Sequence, residues 1–429
     1  MNRNTIKKLS AGLMLSLAFP LCAVAETLDQ AWFEALAVDH GLQAIRENTV
    51  ASEHQLKAAE AARLPNINIT SGYSLLEKEP LMKAELGGSL YHIQTAEKEA
   101  LSYQAMTSLP IYTSGQISGQ IDAASAGVQA SQFFEAGKVL DLKLHVAETF
   151  ISVLRANKAL RVVNSQVASL KSHTVDVVNL HEQGMVSRND LLAAQVALAD
   201  AVQLSIKVAN GVDIAKAAYN RLLGRPLTQT VELTELQAVL SNEPLEGLTA
   251  QAMAGRYELQ VLQQQALALK HQASAIRAQS GPQVSLHAGY SYRENNYQVP
   301  EGQWLLNLGM QWKVFDAGLI RHQASATERH ARSTKQQYDD ASSQISLQVR
   351  QYWLATKETH KRVKVTEQSI SQAEENLRVN RDRYEHGLST NTDVLAAEAL
   401  RTRSHDNHAN AVYDAVLAGI RLKRAVSDL

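Results

Sequence analysis

Asp190 and Asp393 are the residues whose type and setting come nearest to suggesting chemistry. Two carboxylates in matching surroundings are what acid–base catalysis uses, one held charged and the other protonated. Their neighbours give another use. Asp190 lies in Gly184-Met185-Val186-Ser187-Arg188-Asn189-Asp190-Leu191-Leu192, and Asp393 in Gly387-Leu388-Ser389-Thr390-Asn391-Thr392-Asp393-Val394-Leu395. Both read glycine, two residues, a hydroxyl, two residues, aspartate, an aliphatic and leucine. Glycine takes the left-handed conformation that ends a helix. Ser187 and Thr390 are placed to cap the next helix, with the aspartate at its third position, an Asp variant of the capping box. An acid there also suits the helix dipole. Each stretch therefore reads as a sharp reversal between two helices, and cap duty accounts for both carboxylates without catalysis.

Other candidates for chemistry are weaker. His405 and His408 are spaced to share a metal on one helix face, but no further ligand accompanies them. No phosphate-cradling Gly-Lys-Ser/Thr loop, Gly-x-Ser-x-Gly elbow or His-Glu-x-x-His pair occurs. Neither an enzyme nor a cofactor is implied.

The elements that position the two reversals come in duplicate. The turns are 203 residues apart, and Leu109-Pro110-Ile111-Tyr112-Thr113-Ser114-Gly115 stands at the same offset from Trp312-Lys313-Val314-Phe315-Asp316-Ala317-Gly318. Pro65 with Gly72-Tyr73 matches Pro282 with Gly289-Tyr290 at an offset of 217. The difference of 14 puts a longer loop in the first repeat, between Tyr73 and Pro110. The chain reads as a tandem duplication: repeat one at about 28–224, a linker at about 225–244 and repeat two at about 245–427.

Ahead of the repeats, Arg3, Lys7 and Lys8 precede an apolar run and Ala23-Val24-Ala25, the pattern of a secretory signal peptide over residues 1–25. Cys22 raises lipid attachment, but Phe19-Pro20-Leu21 lacks the small residues that reaction wants. Cleavage would leave 404 residues (429 minus 25) without cysteine, which fits a bacterial envelope protein. Removing three of 42 basic residues leaves 39 against 43 acidic, a formal −4, so nothing favours nucleic acid. No run of 18 apolar residues follows the leader, so a place in a membrane would have to be taken as a β-barrel.

Each repeat opens with a helical stretch, at 28–63 and 245–279. Strict alternation follows. Ile67, Ile69, Tyr73 and Leu75 oppose Asn66, Asn68, Thr70, Gly72 and Ser74; after a polar loop with Gly87-Gly88, Leu101, Tyr103, Ala105, Leu109 and Ile111 oppose Ser102, Gln104, Ser108 and Tyr112. In repeat two, Val284, Leu286, Ala288, Tyr290 and Tyr292 oppose Gln283, Ser285, His287, Gly289 and Ser291. Trp304, Leu306, Leu308, Met310 and Trp312 then oppose Asn307, Gly309, Gln311 and Lys313. Four segments of about ten residues, apolar outside, polar inside and aromatic near the ends, are the pattern of transmembrane barrel strands. Four cannot close a barrel, so two or three copies must combine.

Between the strands and the reversals lie proline-free stretches at 117–183 and 319–386. Each would span roughly 100 Å as one helix. Val139, Leu142, Val146, Phe150 and Val153 form one apolar stripe, and Leu140, Leu144, Ala147, Ile151 and Leu154 an adjacent one. A two-stranded coiled coil needs a single seam; two stripes suit a helix with a neighbour on each side, as in a wall. Shorter helices return at 187–223 and 390–427, the first ending in Leu222-Leu223-Gly224-Arg225-Pro226.

This order, with the two reversals and the Leu-Leu-Gly-Arg-Pro close, resembles the TolC-like outer-membrane efflux and secretion channels over essentially the whole mature chain. The resemblance implies a mixed α and β membrane protein: a homotrimer whose four strands per protomer make a twelve-stranded barrel in outer-membrane lipid, continued by a long periplasmic α-helical barrel. It implies a periplasmic adaptor protein at the tips, formed by Gly184, Met185, Val186 and Ser187 with Gly387, Leu388, Ser389 and Thr390, and an inner-membrane pump or ABC exporter beyond. The implied function is the exit duct of a tripartite efflux system, with type I protein secretion as the alternative and a soluble coiled-coil adaptor as a distant third. Periplasmic gate residues carry over to Asp190, Tyr384 and Asp393. Where relatives carry a gate arginine this chain has Ser389, and where they carry a further acid it has Ala396; Arg188 and Arg383 are the candidate replacements for the arginine.

Overall fold

The computed structural model describes residues 25–238 and 243–429. The leader expectation, apart from Ala25, and Asn242 of the linker lie outside the described residues.

The chain starts with α1 (Leu28–Val38) and α2 (His40–Ala61), where the periodicity predicts one helix. Asp39 divides them. Its backbone is extended, and its carboxylate accepts the Leu42 N–H at 2.7 Å as the N-cap of α2. Arg256 makes the same break between α5 (Leu245–Gly255) and α6 (Tyr257–Ala278). A one-residue kink leaves apolar periodicity almost unchanged, so the pattern alone passes over it.

Strands β1 (Asn66–Leu75), β4 (Glu99–Tyr112), β5 (Gln283–Arg293) and β6 (Gly302–Gln311) form one antiparallel sheet in the order β1-β4-β5-β6. The segment expected as a loop is instead a separate hairpin, β2 (Leu81–Leu86) and β3 (Ser89–Gln94). Leu86 pairs with Ser89 across Gly87 and Gly88, whose φ of 62° and 82° give the two left-handed residues that a tight hairpin needs.

Register gives the alternation its meaning. Leu286 lies opposite Leu109 on one side and Leu308 on the other, and Tyr290 opposite Ala105 and Trp304. Ile69 in turn opposes Ala105, and Ile67 opposes Thr107. Most apolar residues of the four strands thus share one face, Met106 and Leu305 excepted. Asn66, Ser108, His287 and Asn307 form a rung of the other. One expected assignment changes. A register shift between Pro110 and Tyr112 leaves Tyr112 opposite Val284, on the apolar face rather than the polar one. Proline cannot donate to the ladder, which makes a bulge its natural place in a strand.

Each strand pair feeds a long helix through two consecutive left-handed residues, Ser114-Gly115 and Ala317-Gly318. Asp316 secures the second junction by accepting the N–H groups of Gly318 and Ile320 at 2.9 and 2.8 Å. Helices α3 (Gln116–Glu182) and α7 (Leu319–Glu385) are 67 residues each, and α4 (Arg188–Leu222) and α8 (Asn391–Ala425) are 35 each. Within the wall α3 packs on α4 on one side and α8 on the other, α8 packs on α7, and α6 bridges α3 and α7. This neighbour on each side of α3 is what its two stripes require.

The main core lies under α1, where Phe150 meets Tyr219 edge-on at 5.9 Å among Val146, Ile151, Val153 and Leu154. Burial of each such side chain contributes roughly 1.5–3 kcal/mol. The close of the first repeat has a specific use here. Gly224, at φ 67°, ends α4, and the Arg225 guanidinium donates to Glu26 at 2.8 and 2.9 Å and to Glu34 at 2.6 Å. It thereby ties the end of α4 to α1 and the segment before it.

Candidate functional site

Both reversals are built as the sequence predicts. Gly184 and Gly387 each have φ 73°. The Met185 N–H reaches Leu180 O at 2.9 Å and the Gly184 N–H reaches His181 O at 2.9 Å. Leu388 and Gly387 repeat the pattern onto Arg383 O and Tyr384 O at 2.7 and 2.9 Å. These are Schellman closures. In the capping boxes, the Asp190 N–H donates to Ser187 Oγ at 3.2 Å and the Ser187 N–H donates to Asp190 Oδ2 at 3.2 Å. At the second turn Thr390 N–H and Oγ donate to Asp393 Oδ2 at 3.0 and 2.7 Å, and Ser389 Oγ adds a third bond at 3.0 Å. So Ser389 buttresses the acid beside it.

Those bonds, the Thr390 backbone N–H first and the two hydroxyls after it, hold the Asp393 carboxyl below its ordinary range. A depressed folded value means that its stabilisation is complete above the ordinary carboxylate pKa and is lost as pH falls through the lowered one. Acidification from about pH 6 to about pH 3 is therefore expected to fray the first turn of α8. Amide exchange there, corrected for intrinsic rate, should rise more in the wild type than in Asp393→Asn. Equal acid sensitivity in the two would assign the fraying elsewhere.

At the tips, Met185 and Leu388 are about two-thirds exposed. Val186 is turned inward and packs, with Leu180 and Leu191, on a cluster of Val177, Ala194, Leu377, Tyr384, Val394 and Ala397. Its carbonyl also lies 3.1 Å from His181 Nδ1. The apolar tip surface is thus Met185 and Leu388, and Val186 belongs to the interior of its own turn.

Tyr384 is buried in that cluster, its ring 5.5 Å from His173. Among the described residues its hydroxyl has no hydrogen-bond partner, so the structure does not join it to Asp190 or Asp393. Burial raises its pKa, and the nearby negative charge of Asp190 raises it further. The two hairpins are tied instead by Asn391, the first residue of α8. Its amide donates to Asp190 O at 3.0 Å, and its Oδ1 lies 2.8 Å from His173 Nε2. With the amide nitrogen committed to a carbonyl, Oδ1 is the acceptor and Nε2 carries the proton. Burial lowers the His173 pKa, keeping the ring neutral.

Arg383 donates to Leu388 O at 3.2 Å across its own turn, and Arg188 is exposed. The ionic cluster of this region centres on Glu398, about two helical turns inside the tips and 1% exposed. Its carboxylate accepts Ser169 Oγ at 2.7 Å and pairs with Arg401 at 3.0 Å and Arg381 at 3.3 Å. Arg401 continues to Glu374 at 3.3 Å, and Glu374 meets His405 Nε2 at 2.6 Å. His408 faces Thr366 at 3.1 Å, so the histidine pair is split between two partners. Sequence reasoning misses this cluster because its members come from α3, α7 and α8 and read singly as solvated charges. The available signal was the Glu398-x-x-Arg401 spacing beside Ser404, on a helix otherwise rich in alanine.

A sheet with one apolar and one polar face, prolonged by two helices of about 100 Å and their shorter returns, defines the wall of an envelope channel. The sequence profile of the outer membrane efflux protein family matches residues 33–225 and 248–427, and the chain belongs to that family. It is similar to the outer membrane protein TolC of Vibrio cholerae, 20% identical over 416 residues, spanning 94% of this chain and 91% of that protein. Its fold is that of CusC, with a TM-score of 0.80, 16% identity and coverage of 94% and 92% of the two chains. The outer membrane protein VceC of Vibrio cholerae superimposes with a TM-score of 0.78 at 16% identity, over 93% of this chain and 95% of that one. The family is one of outer-membrane transport ducts with a periplasmic helical extension, not of enzymes, and the coiled-coil adaptor expectation falls with that assignment.

Proposed function

We propose that this chain is one third of the exit duct of a tripartite efflux system, a passive path for drugs or small molecules driven by an inner-membrane pump through a periplasmic adaptor. The observation that carries the reading is the register. It gathers most of the apolar residues of four strands on one face and, among the described residues, leaves the outer edges of β1 and β6 unpaired. Open edges at this depth cannot face lipid, and three protomers with β6 joined to the next β1 give twelve strands. The helices support the same closure. Helix α4 is long and apolar enough by length and composition to cross a membrane, yet it lies against α3 in the wall. Its exposed Leu192, Val196, Val202, Leu204, Ile206 and Ile214 suit burial against the neighbouring copy.

In this reading the adaptor docks on Met185 and Leu388, and the duct is constricted beside the two turns, at Asp190, Tyr384 and Asp393. The double substitution Met185→Asp with Leu388→Asp is expected to abolish export of a toxic dye from a host lacking its own channel, with normal trimer in the outer membrane by cross-linking. Unchanged export would remove the tips from the partner interface. Recovery of monomer only, or of soluble periplasmic protein, would overturn the duct itself. Tyr384→Phe combined with Asp190→Ala is expected to raise single-channel conductance in planar bilayers. Because the Tyr384 hydroxyl is unbonded among the described residues, most of that increase should come from Asp190, whose loss removes the carboxylate half of the α4 capping box while Ser187 remains as the cap. Equal conductance in wild type and double mutant would place the constriction elsewhere.

A further inference from the structure

We propose that hairpin β2–β3 is a clasp between copies of this chain: its apolar side receives Val299, in the β5–β6 loop of the neighbouring copy, outside the membrane. The inference rests on the proposed duct, which supplies the second copy. The hairpin fills the longer loop of repeat one, whereas residues 294–301 alone join β5 to β6 in repeat two. Its strands form a sheet of their own, and an isolated two-stranded hairpin is marginal in water. Register puts Met82 across from Ile93, Ala84 from Tyr91 and Leu86 from Ser89, so these six share one side. Lys83, Glu85, His92 and Gln94 lie on the other, with Leu81 and Leu90. Met82, Leu86, Tyr91 and Ile93 are all exposed, so the described residues leave the apolar side uncovered.

The β5–β6 loop carries the matching patch. Its first limb is fastened to its own chain, where the Asn295 amide donates to Thr95 O at 3.1 Å and the Asn296 amide to Glu97 Oε1 at 2.8 Å. Its second limb presents Tyr297, half exposed, and Val299, at 95% the most exposed large hydrophobic residue described. Both patches stay open within one chain, and the strand order places them at opposite edges. Strand β2 follows β1, one edge of the sheet, and Val299 stands just before β6, the other. Joining β6 to the next copy's β1 therefore sets Val299 beside that copy's β2, within about 10 Å, or two strand spacings. A contact between two different patches repeats around a ring and closes when the ring closes. Acyl chains are not the occupant, because in the duct the hairpin stands beyond the Tyr290–Trp304 ring pair at the outer edge of the hydrocarbon layer.

Disulfide trapping reads the contact directly, because the mature sequence has no cysteine of its own. Met82→Cys with Val299→Cys is oxidised in outer membranes and run on a gel without reductant. A bond forms only where the two Cβ atoms come within about 4.5 Å. The clasp is therefore expected to shift monomer to dimer and to a covalent trimer, reversed by dithiothreitol. Either single variant should stay monomeric. Lys83→Cys with Val299→Cys, on the polar side of the hairpin, should cross-link far less. A stability cycle supplies a second readout. Met82→Ser and Val299→Ser should each lower the temperature at which the trimer dissociates in detergent, and the double variant should fall no further than either, because both remove one contact. No loss, additive losses, dimers from a single variant, or a bond confined to one chain overturns the proposal. So do free thiols in a protein that amine cross-linking still traps as a trimer, and that result leaves the duct standing. Monomer alone under amine cross-linking overturns the duct and the clasp together.

Discussion

Glu398→Gln is expected to destabilise the helical end of the protein by about 3 kcal/mol, the lower end of the cost of removing one partner from a buried ion pair. The Glu398 side chain is 2% exposed and holds Arg401, at 13%, and Arg381, at 33%. Glutamine keeps the shape and an acceptor for Ser169, but it leaves two guanidinium groups facing a neutral amide. Arg401 retains Glu374, and Arg381 is partly open to water, which is why the loss should not reach the upper end of the range. Glu375→Gln is the matched control. Its pair with Arg378 lies on one helix and is more than half exposed on both sides, so no measurable change is expected. Loss of helical circular dichroism with denaturant in detergent reports both. Equal midpoints for the two variants would mean that solvent screens the Glu398 cluster far more than its burial implies.

The cluster also shows where reading the sequence stops. The tips were legible because their chemistry is local. Gly184, Ser187 and Asp190 act on backbone within a few residues of themselves, so spacing alone identifies the closure and the cap. The same holds for the four wall strands, since a period of two survives any register that keeps the faces together. What spacing cannot supply is the meeting of distant elements. Arg381 reaches Ser169 and Glu398, and Asn391 reaches His173 and Asp190, across separations set by how α3, α7 and α8 lie together. Tyr384 illustrates the converse. A tyrosine one helical turn before the glycine could point to either aspartate, but packing turns its ring onto His173 and leaves both acids to their caps.

Two smaller departures have equally physical origins. Asp39 interrupts a helix because its carboxylate caps the next one better than its backbone continues the last. Hairpin β2–β3 was hidden because its strands are only six residues each and carry Lys83, Glu85 and His92 among their apolar residues. The Gly87-Gly88 pair was the visible sign of it, and its left-handed φ values turn what reads as a loop into a closed ladder.

The other large effect belongs to the membrane wall. Leu286→Arg is expected to cost ~2–4 kcal/mol of assembly per protomer, the range for a cationic side chain on the lipid face at mid-bilayer. Mid-depth follows from the aromatic residues. Leu286 pairs with Leu308, and four residues from Leu308 in either direction lie Trp304, which meets the Tyr290 ring at 5.4 Å, and Trp312. Tryptophan and tyrosine prefer the two water–lipid boundaries, so the Leu286–Leu308 rung is equidistant from both. The side chain has no route to water within the sheet, because its rung continues to Leu109 and its neighbours on that face are Val284 and Ala288. Ser285→Arg places the same charge one residue away on the opposite face, among Gly309, Pro110 and His287, where the passage would hydrate it. If the protein assembles as the proposed trimer, the trimer recovered in the outer membrane should fall steeply for the first variant and little for the second. Equal losses would mean that the sheet has no lipid face, and a reversed order would mean that the two faces are exchanged, because neighbouring residues on a strand lie at the same depth and differ chiefly in the face they occupy.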